Sequence, residues 1–232
     1  MKNYFASFKT LTKFERGLWL TSLAVTIVSY LLSYVFSGNG DILNLIASLI
    51  GVTALIFVAK GHALGQLLTV VFSVFYGIIS VLFTYYGEMI TYLFMTAPMA
   101  VVAAVEWIKN PYKDTQEVKV HKATKKQLTV MWLLAILVTI LFYFILKALN
   151  TANLFFSTVS ITTSFVASYL TFLRSPYYAI GYSANDMVLI ILWALASVEN
   201  ISYLPMVACF IMFLFNDLYG FYNWKNMQKR QK

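Results

Sequence analysis

Asn216 and Asp217 interrupt an apolar run, Phe213-Leu214-Phe215-Asn216-Asp217-Leu218-Tyr219-Gly220-Phe221-Tyr222-Asn223-Trp224. Strongly polar groups inside such a run are costly in an apolar solvent and mark function by default. On a helix, Asn216, Tyr219 and Asn223 are spaced by three and four residues and share one face, with Asp217 beside it. That face can hydrogen-bond a polar ligand, or it can bond a neighbouring helix. Trp193, midway along another apolar run, can stack on a planar ring or fill a gap between helices. Tyr76 beside Gly77, and Gln66 earlier in the same run, are further ligand candidates. Asp186 follows Ser183-Ala184-Asn185 and reads as a helix cap, with ligand binding as the alternative. Trp107, next to Glu106, reads as part of an interfacial aromatic belt.

Other chemistries lack their residues. The lone Cys209 excludes an intrachain disulfide and any multi-cysteine metal or iron–sulfur site. His62 and His121 lie far apart without a ligand-spaced partner, so no metal centre is expected. No nucleophile elbow, Walker A, zinc-protease or dinucleotide fingerprint appears. The sequence therefore implies no cofactor and no enzyme.

These residues must be positioned by membrane helices. Of 232 residues, 60% are hydrophobic and only 11% charged, against about 25% charged in a soluble domain. So few charges cannot cover a water-facing surface. A spanning helix needs about 20 apolar residues. Segments near that length run over 17–37, 42–59, 64–86, 89–108, 128–149, 152–173, 185–199 and 204–223. The seventh is short, and Pro176 to Tyr182 could extend it as a broken or tilted element. The expected fold is all-α, with eight transmembrane helices.

The net charge of +8 does not indicate nucleic acid, because the basic residues lie between apolar blocks. With both termini in the cytoplasm, they fall in 1–16, 60–63, 109–127, 174–184 and 225–232, leaving only Lys147 outside. Asp41, Glu88 and Glu199 fall in the outside loops. This is the positive-inside pattern, and the expected location is the inner (plasma) membrane, with lipid as a partner.

An internal repeat is legible. Asn44-Leu45 with Ser48, Val52 and Thr53 matches Asn153-Leu154 with Ser157, Ile161 and Thr162. Glu88-Met89-Ile90-Thr91-Tyr92-Leu93-Phe94-Met95 matches Glu199-Asn200-Ile201-Ser202-Tyr203-Leu204-Pro205-Met206, and Trp107-Ile108-Lys109-Asn110 matches Trp224-Lys225-Asn226. The chain then divides into a basic N-terminus and first helix (1–37), a three-helix repeat (42–108), a basic loop and linker helix (109–149), a second repeat (152–224) and a basic tail (225–232). A single linker helix makes the repeats parallel, an architecture of transporters with the substrate between the repeats near midplane.

The sequence also resembles the PnuC family of bacterial vitamin transporters, whose best-known members take up nicotinamide riboside. The resemblance runs from about residue 42 onward. It is carried by Tyr86-Gly87-Glu88, by Pro98-Met99 leading to Glu106-Trp107, by Asn185-Asp186 followed by Trp193, and by Leu218-Tyr219-Gly220-Phe221-Tyr222-Asn223-Trp224. It implies a fold similar to the SWEET sugar transporters, three plus one plus three helices, here with an added N-terminal helix. It also implies facilitated diffusion, with the vitamin trapped by cytoplasmic phosphorylation and used for pyridine nucleotide biosynthesis. Members carry a Gly-aromatic motif where this chain has Ala103-Ala104-Val105-Glu106-Trp107. Thiamine, riboflavin or a deoxynucleoside therefore stay open as substrates.

On this reading Asn216, Tyr219 and Asn223 bond the substrate, Asp217 orients them or meets ribose hydroxyls, and Trp193 and Tyr76 flank the ring. Two rivals stand beside it: an ion-coupled symporter, and a membrane adaptor or sensor that holds a partner through the 109–127 loop. A homo-oligomer is compatible with all three.

Overall fold

The computed structural model describes residues 4–38, 42–82, 86–151, 153–199 and 201–232. Asp41 and Asn200 lie outside them. Eight helices among the described residues are long and apolar enough to cross a membrane. They are α1 (Lys13–Ser37), α2 (Ile42–Ala59), α3 (Ala63–Leu82), a composite of α4 (Tyr86–Ile90) and α5 (Ala97–Lys109), then α6 (Lys125–Ala148), α7 (Leu154–Phe172), α8 (Tyr178–Glu199) and α9 (Leu204–Arg230). No strand occurs among the described residues, as the sequence leads one to expect.

Local chemistry sets the ends. α1 and α6 each open on a capping box, in which a threonine hydroxyl and the side chain three residues on satisfy each other's backbone N–H groups. The pairs are Thr12 with Glu15 and Thr124 with Gln127. Between α4 and α5 the chain widens into a π-helical stretch, Thr91–Thr96. Pro98 has no N–H to return to the Phe94 carbonyl, and the Ala97 N–H reaches back to the Tyr92 carbonyl instead. Such π segments recur at functional sites.

Three expectations need correction. The Pro176–Tyr182 stretch is not a broken extension, because α8 is continuous from Tyr178. Asp186 is therefore no cap; it lies inside α8 and is buried. The 225–232 tail is not separate either, since α9 runs on to Arg230.

α2, α3 and α5 pack together, as do α7, α8 and α9, and α2 also meets α9. The main core, around Phe72, Tyr76, Tyr92, Leu189, Trp193, Phe210 and Phe213, draws on both sets. α6 packs on α7 and leaves Leu133, Leu137 and Phe144 exposed, as lipid contact requires.

The 110–124 loop is folded back on its own chain. Ser7 Oγ donates to Gln116 Oε1 at 2.8 Å, and the Val118 N–H to the Gly61 carbonyl at 2.9 Å. The His121 N–H reaches the Arg174 carbonyl at 3.0 Å, and the Val120 N–H reaches Gln231 Oε1 at 2.7 Å. The basic end of the bundle is thus knitted from the residue 4–12 region, the 60–62 turn, this loop and the end of α9.

Candidate functional site

The polar stripe of α7 organises the middle of the bundle. Ser157, Ser160, Ser164 and Ser168 recur at three- and four-residue spacing and so share a face. Ser160 Oγ, Thr163 Oγ1 and Ser164 Oγ donate to Asn185 Oδ1 of α8 at 3.1, 2.9 and 2.9 Å. Ser168 Oγ meets the Tyr182 hydroxyl at 3.0 Å. Asn185 is thereby held in place by three hydroxyls.

Asn185 and Tyr182 line a central cavity of about 60 Å³ with Gly51, Gln66, Tyr92, Thr96, Asp186 and Asp217, among others. Every spanning helix except α1 and α6 contributes to it. The sequence candidates Gln66, Asp186 and Asp217 are all buried here, on three different helices, so the fold brings them together. A second cavity, of about 180 Å³, is lined by Gly87, Glu88, Thr91, Asn153, Ser160 and Trp193, among others. The two share walls: Thr91 and Tyr92 are adjacent, Ser160 and Ser164 are one turn apart on α7, and α8 supplies both. They are stacked along the bundle, the larger at the end away from the basic loops.

Below the central cavity, towards the basic end, the bundle is shut by aromatics. Trp107 Nε1 donates to the Thr171 carbonyl at 3.0 Å and Trp224 Nε1 to the Val58 carbonyl at 2.9 Å. Tyr178 packs edge-on against Trp224 with centroids 5.0 Å apart. Trp107 is only 2% exposed, so it is not part of an interfacial belt.

Three candidates fall elsewhere. Asn216 Nδ2 donates to Ser22 Oγ of α1 at 3.1 Å and to the Met212 carbonyl at 2.7 Å. The Tyr219 hydroxyl donates to Glu15 Oε1 at 3.0 Å, and Asn223 Nδ2 to the Ala59 carbonyl at 3.0 Å. Their shared face exists, but it is turned to α1 and the end of α2, and none of the three lines either cavity. Trp193 lines the larger cavity, and Tyr76 is core, with its ring 4.4 Å from that of Tyr92. Asn185, Tyr92 and Tyr182 were not among the candidates. The serine stripe of α7 was the signal that a polar partner must face it.

At the basic end, Glu15 Oε2 pairs with Lys60 Nζ at 3.0 Å, and His62 packs beside them with its ring stacked on Phe57. Burial first, and the Lys60 charge second, pull the His62 pKa down to about 4, against the opposing pull of Glu15.

Eight apolar helices around stacked polar cavities, closed at one end, define a membrane transporter. Residues 41–226 match the nicotinamide mononucleotide transporter family, and the chain belongs to that family. It is 28% identical over 222 residues to a nicotinamide riboside transporter PnuC of Neisseria mucosa, covering 92% of this chain and 84% of the relative. It is 26% identical to a nicotinamide riboside transporter PnuC of Haemophilus influenzae, covering 90% and 89%. The crystal structure of a vitamin B3 transporter PnuC superposes with a TM-score of 0.81 at 27% identity, over 96% of this chain and 94% of that one. The resemblance drawn from the sequence motifs is thereby borne out. The family's work is transport, not catalysis, and the chain is a membrane protein.

Proposed function

We propose that this protein carries nicotinamide riboside across the bacterial inner membrane, with both termini in the cytoplasm. The observation that carries this reading is the central polar cavity between 42–109 and 154–230, in a chain whose relatives bear that riboside in their names. Gln66, Asn185, Asp186 and Asp217 supply hydrogen-bonding groups there. Trp193 and Tyr92 offer rings to a planar heterocycle arriving through the larger cavity. The orientation rests on basic residues gathered at one end of the bundle.

Rocking of one three-helix unit on the other, as in parallel-repeat carriers, would alternately open the larger cavity and the aromatic closure. Two threonine bonds, one in each unit, support equivalence of the units. Trp19 of α1 donates to Thr53 Oγ1 at 3.1 Å, and Thr139 of α6 meets Thr162 Oγ1 at 2.7 Å. Movement is by facilitated diffusion, with cytoplasmic phosphorylation retaining the riboside.

The test is calorimetric titration of the detergent-purified protein with nicotinamide riboside, thiamine, riboflavin and thymidine. Saturable binding of the riboside alone is expected. Binding of another of the four in its place would reassign the substrate.

A further inference from the structure

The central cavity carries two acidic side chains and no basic one. Asp186 on α8 and Asp217 on α9 are each 3% exposed and line the same cavity. Two like charges that share one small buried cavity repel each other, so the pair favours no more than one negative charge. Asp186 Oδ2 is buried and accepts no hydrogen bond among the described residues.

A single buried charge of this kind is strongly unfavourable unless something compensates it. Neither lysine, arginine nor histidine lines the cavity. The buried cations of the chain are engaged outside it, Lys60 with Glu15 at 3.0 Å and Arg174 with Glu106 at 3.4 Å. Two of the hydroxyls are occupied, Ser164 on Asn185 and Tyr182 with Ser168. Beside the carboxyls the cavity offers the Gln66 amide, 3% exposed. The protein supplies polar groups for a ligand and a negative charge, and leaves the positive charge to the ligand.

We propose that Asp186 and Asp217 together are the counter-ion of a cationic ligand ring, and that they make the site select its positively charged form. This rests on the riboside reading. The ring of nicotinamide riboside is an N-substituted pyridinium with one positive charge, matching a single negative charge on the pair. The thiazolium of thiamine fits the same site, whereas riboflavin and thymidine, whose rings are neutral, are disfavoured.

The experiment compares nicotinamide riboside with its 1,4-dihydro form, which keeps the substituents and the ribose but has an uncharged ring. Both are titrated calorimetrically into the full-length protein and into the Asp186→Asn and Asp217→Asn variants. The unmodified protein should bind the cation about tenfold more tightly or better, the scale of one charge-assisted hydrogen bond. In each folded variant that ratio should fall towards one. Equal affinity of the unmodified protein for the two forms would overturn the proposal even if neither variant folds, and so would a ratio that both variants preserve. Failure to bind either form would instead remove the riboside reading, and the counter-ion role with it.

Discussion

Trp107 of α5 and Trp224 of α9 lie against each other with ring centroids 5.2 Å apart and planes at 51°. Each donates its indole N–H to the other unit, Trp107 to the Thr171 carbonyl and Trp224 to the Val58 carbonyl. The closure is therefore exchanged between the units, and neither ring can leave without breaking a bond to the opposite one. Trp224→Phe keeps most of the apolar volume but removes one of the two N–H donors to the Val58 carbonyl, the other being the Gly61 N–H at 2.9 Å, at a cost of about 0.5–1.5 kcal/mol. Trp224→Ala also opens a cavity and should cost about 3–5 kcal/mol. Thermal unfolding in detergent should rank unmodified protein, Phe and Ala in that order. In vesicles the Phe variant should release preloaded riboside faster than the unmodified protein.

Glu15, Lys60 and Tyr219 tie α1 to α2 and α9 in one buried cluster. The side chains of Lys60 and Glu15 are 11% and 2% exposed, so either charge alone would be left in a low-dielectric setting. Lys60→Met should destabilise the protein by about 3–5 kcal/mol, because it strands a carboxylate. Adding Glu15→Met to it should restore much of the loss, since removing both charges also removes the unpaired one. Melting temperatures of the two single variants and the double variant decide this. Additive losses would mean that the pair is not coupled.

His62 makes stability depend on pH. Its folded-state pKa is about 4, below the ordinary 6.5, so between those values the unfolded chain binds more protons than the folded one. Stability should then rise with pH across that window and fall as the medium is acidified from about 6.5 to about 4. His62→Phe keeps a ring against Phe57 and removes the proton site. The melting temperature of this variant should lose the part of the pH dependence that lies in the window.

The number of spans and their polarity were legible because length, apolarity and loop charge act locally along the chain. Asp217 was legible for the same reason, since a carboxyl inside an apolar run has no cheap place to go, whereas Asp186 beside Ser183-Ala184-Asn185 read as a helix cap. The partners of Asn216, Tyr219 and Asn223 were not. Spacing shows that three side chains share a face, but not which neighbour that face meets. Here it meets α1, through Ser22 and Glu15, residues some two hundred positions earlier in the chain. The continuous start of α8 was obscured by Pro176, which reads as a breaker and in fact lies just before the first turn. The structural part of Trp107 was hidden because a tryptophan at a helix end looks the same whether it faces lipid headgroups or a second tryptophan.

Gly181 offers a test of how closely the paired helices must approach. A Cβ on it would stand 2.9 Å from the Cα and 3.2 Å from the backbone nitrogen of Ala167 on α7. On the other unit, a Cβ on Gly65 of α3 would stand 2.4 Å from the backbone nitrogen of Val58 on α2. Each glycine lies in the first turns of the second helix of its unit and lets it rest on the backbone of the first. An alanine would ordinarily favour a helix over glycine by about 1 kcal/mol. Backbone atoms cannot rotate away as a side chain can, so the clash should outweigh that gain. Gly181→Ala would push α8 off α7 just where Ser164 and Ser168 meet Asn185 and Tyr182. We expect a lower melting temperature together with weakened riboside binding. A variant as stable as the unmodified protein would show that α7 and α8 can separate without loss, and would remove the close approach as a requirement for the site.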